Sequence, residues 1–212
     1  RDRVRQVYQH PLIHVYTKAT ISEATGYVGN FVTRVKSERG QTKITHGAVV
    51  IAVGADEYRP AEYLYGEDDR VMTHLALGEK IAQADETVVQ AKSIVMIQCV
   101  GCRNEDRNYC SRVCCSHAVK NALKLKSINP EMDVTILFRD MRTYGFQEDY
   151  YKTAREKGVI FIRFDRDLPP EVKASSEGLL VTVKDGVVKE TKSIPRAKAL
   201  TVFQPIPWAE TK

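Results

Sequence analysis

The sequence predicts an α/β protein: a three-layer unit built on a parallel sheet, with a small antiparallel β-meander ahead of it. Three observations carry this expectation. Strand-like apolar runs alternate with helical patterns between residues 93 and 163, an order that implies parallel pairing with right-handed crossovers. Short β-rich runs between residues 19 and 45 are punctuated by Gly26, Gly29 and Gly40. The 212 residues, 43% hydrophobic and 28% charged, suffice to bury one or two cores.

Residues 1–10 carry Val4, Val7 and Tyr8 at helical spacing, and residues 12–16 form a short β-type run. The meander follows at 19–24, 31–35 and 42–45. The unbroken apolar run 46–54, ending in Gly54, predicts a strand buried on both faces. After a polar, aromatic loop over 58–69, residues 73–84 read as a helix with Thr73 as its N-cap. Then come a buried strand (93–98), a helix (109–128) stopped by Asn129-Pro130, a second strand (134–138), a second helix (147–157) closed by Gly158, and a third strand (159–163). This β-α-β-α-β order is Rossmann-like. Residues 179–184 and 187–191 predict a hairpin around Asp185-Gly186.

Composition excludes several classes. Lys plus Arg (32) against Asp plus Glu (27) gives +5, spread along the chain, so no nucleic-acid partner is expected. No apolar run reaches the roughly 18–20 residues of a membrane span, and no secretory signal pattern opens the sequence, so a cytoplasmic protein is expected. Neither a Ser-His-Asp arrangement nor a His-Glu hydrolase motif appears, and no catalytic acid, base or nucleophile is assigned.

The abnormal feature is the cysteine distribution. All five, Cys99, Cys102, Cys110, Cys114 and Cys115, fall within 17 positions. Disulfide scaffolds spread cysteines to staple distant segments, and an odd number leaves one thiol over. Three readings remain: a metal or iron–sulfur site, a redox dithiol at Cys99/Cys102, or coincidental buried thiols, in descending order of weight. The segment occupies the strand-to-helix turn where a dinucleotide-binding unit carries G-x-G-x-x-G. Here that turn holds a single glycine, Gly101, among charges and thiols, which suits close phosphate approach poorly. The helix N-terminus still favours an anion, and a thiolate-ligated cluster is one; Arg103, Arg107 and Arg112 add positive charge. On the predicted helix Cys110 and Cys114 are i, i+4 and share a face, with Cys115 adjacent and Cys99 reaching over from the strand end. The C-x10-C-x3-C-C pattern thus supplies four ligands from one strand end and one helical turn. Four thiolates suit a four-iron cluster. Zinc also accepts four, usually from two C-x2-C knuckles, and only one such pair, Cys99/Cys102, exists here. His117 is read as an outer-sphere or surface group.

Gln98-Cys99-Val100-Gly101, Arg103-Asn104-Glu105 and Tyr109-Cys110-Ser111-Arg112-Val113-Cys114-Cys115, continuing from His117 to Leu123, resemble the signature of the A-type subunits of heterodisulfide reductase. The run from Arg139-Asp140-Met141-Arg142 to Thr143-Tyr144-Gly145, residues 154–163 and Gly26-Tyr27-Val28-Gly29-Asn30-Phe31 extend the likeness over roughly residues 1–185. That family is a thioredoxin-reductase-like flavoprotein with FAD and iron–sulfur clusters. It relays electrons in heterodisulfide reductase complexes, some of them electron-bifurcating, and related subunits serve quinone-interacting membrane-bound oxidoreductases.

The resemblance implies a 4Fe-4S cluster on Cys99, Cys110, Cys114 and Cys115, with Cys102, where the family usually has serine, left as a spare or alternative ligand. It implies FAD contacts at Ala52, Val53 and Gly54, where the family reads A-T-G, and at Ile21 through its backbone. The partners implied are the other subunits of such a complex. The G-x-G-x-x-G of an N-terminal FAD-binding βαβ is not found, so the chain is expected to be a fragment of a two-dinucleotide-binding-domain flavoprotein. Residues 1–90 then form a partial FAD-binding domain, 91–192 a NAD(P)-binding-like domain carrying the cysteines, and 193–212 a divergent tail without a return strand. The predicted function is electron transfer between FAD and the cluster. The alternatives are a flavoprotein thiol–disulfide oxidoreductase using Cys99/Cys102 and a zinc-stabilised interaction module.

Overall fold

The structure, a computed structural model, describes residues 2–197, 199–202 and 205–207. It divides into two compact units, residues 1–53 and 54–212.

In the first unit, helix α1 (Asp2–Gln9) precedes a three-stranded antiparallel meander, β1 (Thr20–Tyr27), β2 (Asn30–Ser37) and β3 (Gly40–His46), in the order β1-β2-β3. Gly26 is required at the first turn. Its φ is +104°, and a Cβ there would meet the Asn30 carbonyl oxygen at 2.1 Å. His46 closes the meander. Its Nδ1 donates to the Ala48 carbonyl (2.9 Å), so its Nε2 accepts from the Thr33 hydroxyl (2.8 Å), and its ring stacks on Phe31.

Two strand expectations fail here. Residues 12–16 are irregular and exposed. The 46–54 run is not a buried strand: Val50 and Ile51 are 88% and 81% exposed, and residues 47–54 pair with nothing in the described sheets. A strand buried on both faces needs a neighbour on each edge and a layer over each face. The described residues supply neither, so an apolar run alone does not become core.

The second unit holds β4 (Ala55–Glu57), β5 (Val71–Thr73), α2 (His74–Ala82), α3 (Glu86–Val89), β6 (Ser93–Ile97), α4 (Cys114–Ile128), β7 (Asp133–Phe138), α5 (Gln147–Glu156), β8 (Ile160–Arg163), β9 (Glu171–Ser175), β10 (Gly178–Lys184), β11 (Thr191–Ala197), β12 (Ala199–Val202) and β13 (Pro205–Pro207). A five-stranded parallel sheet runs β5-β12-β6-β7-β8, and β9, β10 and β11 form a separate antiparallel sheet. Strand period decides what each face meets. Ile94, Met96, Val134 and Ile136 pack toward Leu77, Ile81, Ala118, Ala122 and Leu125 of the helices. Val95, Ile97 and Leu137 face Leu179, Val181 and Val183 of β10. The unit is therefore helices, parallel sheet and antiparallel sheet: the three-layer, Rossmann-like α/β unit that the alternation predicts.

Thr73 caps α2 as expected, its hydroxyl accepting from the Ala76 N–H at 3.2 Å, a contact worth about 1 kcal/mol. Three boundaries move. The units part at 53/54 rather than at 90/91, because β5 joins the parallel sheet and α2 packs on its helix face. The expectation of no return strand after 192 is corrected: β12 lies parallel between β5 and β6. The hairpin partner of β10 is β11, not residues 187–191. The Asp185 carboxylate accepts from the Val187 and Val188 N–H groups (2.8 and 3.2 Å) and holds 185–190 as a wider turn.

Candidate thiol site

Between β6 and α4 runs the loop 98–113, at the C-terminal edge of the parallel sheet, where ligands of open α/β sheets gather. Its first turn is a chain of left-handed residues: Cys99 (φ +64°), Gly101 (+68°) and Arg103 (+54°). Only glycine fits the middle one, since a Cβ on Gly101 would sit 2.2 Å from Cε1 of Tyr58. Cys99 and Cys102 stand at the two ends of this turn, both buried. Beyond it the loop folds on itself. Arg103 N–H donates to the Tyr109 carbonyl (3.2 Å) and Asn104 N–H to that of Arg107 (3.3 Å), so Cys102 and Cys110 flank one neck.

Helix α4 begins at Cys114, five residues later than its pattern predicts. Arg112 has φ +62°, which a right-handed helix does not continue through. Cys110 and Cys114 therefore do not share a helical face; Cys110 belongs to the loop. Cys114 and Cys115 occupy the first turn of α4, which has no side-chain cap, so its free N–H groups and dipole present positive potential to the sulfurs.

A short turn after β7 holds the two halves together. Arg139 donates to the carbonyls of Cys102 (3.3 Å) and Arg103 (2.9 Å). Arg103 pairs with Asp140 at 2.5 Å and donates to Cys99 Sγ at 3.8 Å. Cys115 Sγ lies 3.7 Å from the Asp140 carbonyl oxygen, and Met141 packs on Cys114 and Cys115. Residues 139–141 thus meet both the backbone of the strand-side cysteine turn and the helix-side thiols. In the sequence Arg139-Asp140 stands out only as part of the family resemblance. The signal that could have found it is a charged pair directly after a buried strand, at the ligand-bearing edge.

The arginines expected to offset anionic charge divide their roles. Arg103 contacts a sulfur. The Arg107 guanidinium stacks on Tyr58 (4.8 Å), and Arg112 contributes its backbone N–H to Cys110 Sγ (3.4 Å). His117, half-buried, stacks on fully buried His74, which is hydrogen-bonded to Gln98 (3.0 Å).

Electrostatics splits the thiols into unequal pairs. The hydrogen bond from Cys102, followed by the Arg103 guanidinium, holds Cys99 down to about 6 against the opposing effect of burial. The same hydrogen bond and burial push Cys102 up. Likewise Cys114 goes up and Cys115 down, each through their mutual hydrogen bond first. Charges also reach across the pairs: Cys99 acts on Cys114 and Cys115, and Cys110 acts on Cys102 and Cys115.

The donor chemistry fits a thiolate-ligated cluster: four buried sulfurs and half-buried Cys110, beside a helix N-terminus and Arg103. Among the described residues no three His, Cys, Asp or Glu side chains converge as one metal ion would require. A four-iron cluster spreads its four thiolates over four corners instead. Of the expected flavin contacts, Ile21, Ala52 and Val53 are exposed in the first unit, and Gly54 has φ +73° with open space where a Cβ would lie. A groove of about 700 Å³ lined by Ile81, Val119, Leu123 and Tyr150, on the helix layer, contains no thiol.

No family model matches the chain. Among curated proteins, it is 34% identical over 191 residues to the A-type subunit of the ferredoxin:CoB-CoM heterodisulfide reductase of Methanosarcina acetivorans, covering 70% of this chain and 24% of that protein. The A-type iron-sulfur subunit of the CoB–CoM heterodisulfide reductase of Methanocaldococcus jannaschii is 35% identical over 170 residues, covering 73% and 26%. The chain belongs to the family of heterodisulfide reductase A-type subunits. It spans about a quarter of the length of these relatives. Among solved structures, the reduced ornithine hydroxylase of Pseudomonas aeruginosa matches with a TM-score of 0.46 at 12% identity, over 88% of this chain and 54% of that one. The bacillithiol disulfide reductase of Bacillus cereus matches at 0.39 and 15%, over 95% and 54%. Among the described residues no helix is long and apolar enough to cross a membrane.

Proposed function

We propose that this chain is an electron-transfer module of a cytoplasmic heterodisulfide-reductase-type oxidoreductase, with Cys99, Cys110, Cys114 and Cys115 holding a 4Fe-4S cluster. One observation supports the reading: the chain's five cysteines all lie on the segment from the end of β6 to the first turn of α4, at the C-terminal edge of the parallel sheet. Metal binding requires the thiols to deprotonate. Arg103 supplies positive charge that favours this at Cys99, and the first turn of α4, which carries Cys114 and Cys115, has no side-chain cap to compete for its N–H groups. When bound, the cluster supplies one-electron chemistry. The chain's own residues hold its ligands, shield them from water and offset their charge.

FAD is the electron partner in this reading, with Ile21, Ala52, Val53 and Gly54 as backbone contacts. These exposed positions offer no side-chain grip on a flavin, so no step is derived through it. The partners are the other subunits of a heterodisulfide-reductase-like or quinone-interacting complex, which donate or accept the electrons.

The dithiol alternative has the Cys-x-x-Cys spacing of Cys99 and Cys102 in its favour. Against it, the two residues are only 8% and 2% exposed, which closes attack on a bulky substrate disulfide. Anaerobic iron and acid-labile sulfide analysis of wild type and Cys114→Ser tests the main reading. Loss of both in the variant is expected; unchanged iron sinks the ligand assignment.

A further inference from the structure

We infer that His74 is a positioning residue for the thiol site, a buried side chain on α2 that ties the strand end carrying Cys99 to the helix carrying Cys114 and Cys115. The inference rests on the iron–sulfur reading above and adds a residue from outside the cysteine segment.

Three polar side chains from three elements meet in the interior. His74 opens α2, Gln98 follows β6 and Asn121 lies within α4; they are 0%, 0% and 1% exposed. Burying such groups is costly unless they are hydrogen-bonded. Here the bonds converge on His74. The Gln98 side-chain amide lies 3.0 Å from its Nε2, and the Asn121 amide donates to its backbone carbonyl at 3.1 Å. The ring of His117, one turn before Asn121, stacks on the His74 ring with centroids 5.9 Å apart.

Both arms end beside assigned ligands. Gln98 immediately precedes Cys99. Its backbone N–H is fixed by the Leu137 carbonyl (2.9 Å), but its side-chain amide has one partner among the described residues, His74. Without the imidazole that amide is buried and unpaired, so it must shift, and the next residue along the chain is Cys99. Asn121 stands seven residues after Cys114, two helical turns on, so the two share a face of α4. His74 therefore spans from the strand-side ligand to the helix-side ligands. Hydrogen-bonded groups behind metal ligands orient them in this way. Simple core packing is the competing account; it predicts lost stability and an unaltered site.

The test compares His74→Phe, which keeps an aromatic ring but loses the bond to Gln98, with His74→Gln, which restores a hydrogen-bonding amide. Met132→Ala, a cavity at a fully buried core position of the same unit, controls for stability alone. The full chain is reconstituted anaerobically with iron and sulfide. It is read by the electron paramagnetic resonance of the reduced protein and by the rate of iron loss to a chelator. His74→Phe is expected to shift the spectrum and to lose iron about 10-fold faster than wild type. His74→Gln should recover most of both, and Met132→Ala should keep the wild-type spectrum. A folded His74→Phe with wild-type spectrum and iron loss overturns the inference, as does an equal change in Met132→Ala.

If His74→Phe does not fold, Asn121→Leu decides, since it cuts the α4 arm alone: a shifted spectrum supports the inference and a wild-type one overturns it. Alkylation of the metal-free chain supplies a readout that needs no cluster. Cys99, Cys114 and Cys115 should react faster in His74→Phe than in Met132→Ala; equal rates overturn the inference. A wild type that takes up no iron sinks the iron–sulfur reading, and the alkylation rates then judge the role of His74 by themselves.

Discussion

Replacing Gly101 with alanine tests whether the thiol turn is built as described. Two costs follow from the structure. The residue's φ is +68°, and an L side chain in that region costs about 1–2 kcal/mol. The added Cβ would stand 2.2 Å from Cε1 and 2.5 Å from Cδ1 of Tyr58. The ring must retreat by more than about 1 Å, giving up its stacking on Arg107 and its packing in the β10-side core, a further ~1–2 kcal/mol. The total is about 2–4 kcal/mol. For a unit of this size that lowers Tm by roughly 5–15 °C in calorimetry. A double-mutant cycle separates the parts: with Tyr58→Ala already present, Gly101→Ala should cost only its backbone share of about 1–2 kcal/mol. An equal cost in both backgrounds, or a cost under about 0.5 kcal/mol in wild type, refutes the packing argument.

Three further outcomes are expected. Arg139→Met removes two hydrogen bonds to loop carbonyls and should destabilise the second unit by about 2–4 kcal/mol in urea unfolding, with faster iron loss from loaded protein than from wild type. His74 is held neutral, its pKa pushed down to about 3 by burial and then by His117, so between pH 6.5 and 3 the unfolded chain binds the extra proton. Stability conferred by the buried neutral ring is complete above pH 6.5 and declines on acidification, by up to about 1.4 kcal/mol per pH unit. His74→Gln should flatten that slope in urea titrations from pH 7 to 4; an unchanged slope contradicts the assignment. Cys114→Ser should abolish iron and sulfide retention after anaerobic desalting, with far-ultraviolet circular dichroism unchanged.

The legible parts of the fold were those where pattern and packing agree. Ile94, Val95, Met96 and Ile97 read as a doubly buried strand and are one, because β12 and β7 flank them and cores lie on both faces. The 46–54 run reads the same way and is exposed, because its neighbours and covering layers are not among the described residues. Burial belongs to a segment and its partners jointly. Three-residue β5 is too short for a period to show, and residues 199–202 are hidden between Pro195 and Pro205 in a stretch that reads as broken.

At the site, the cysteines announced themselves by number and spacing. What spacing alone missed is backbone: the left-handed Arg112 that delays α4 and moves Cys110 into the loop. Nor could a one-dimensional pattern show that Arg139 and Asp140, some forty residues from Cys99, tie the strand-side cysteine turn to Cys115 on the first turn of α4.

Mössbauer spectroscopy of the full chain, reconstituted anaerobically with iron-57 and sulfide, tests the central claim most directly. The account predicts the spectrum of an oxidised four-iron cubane, accounting for nearly all the bound iron. Iron bound only as mononuclear tetrathiolate sites, or no iron held while zinc binds stoichiometrically, would contradict it.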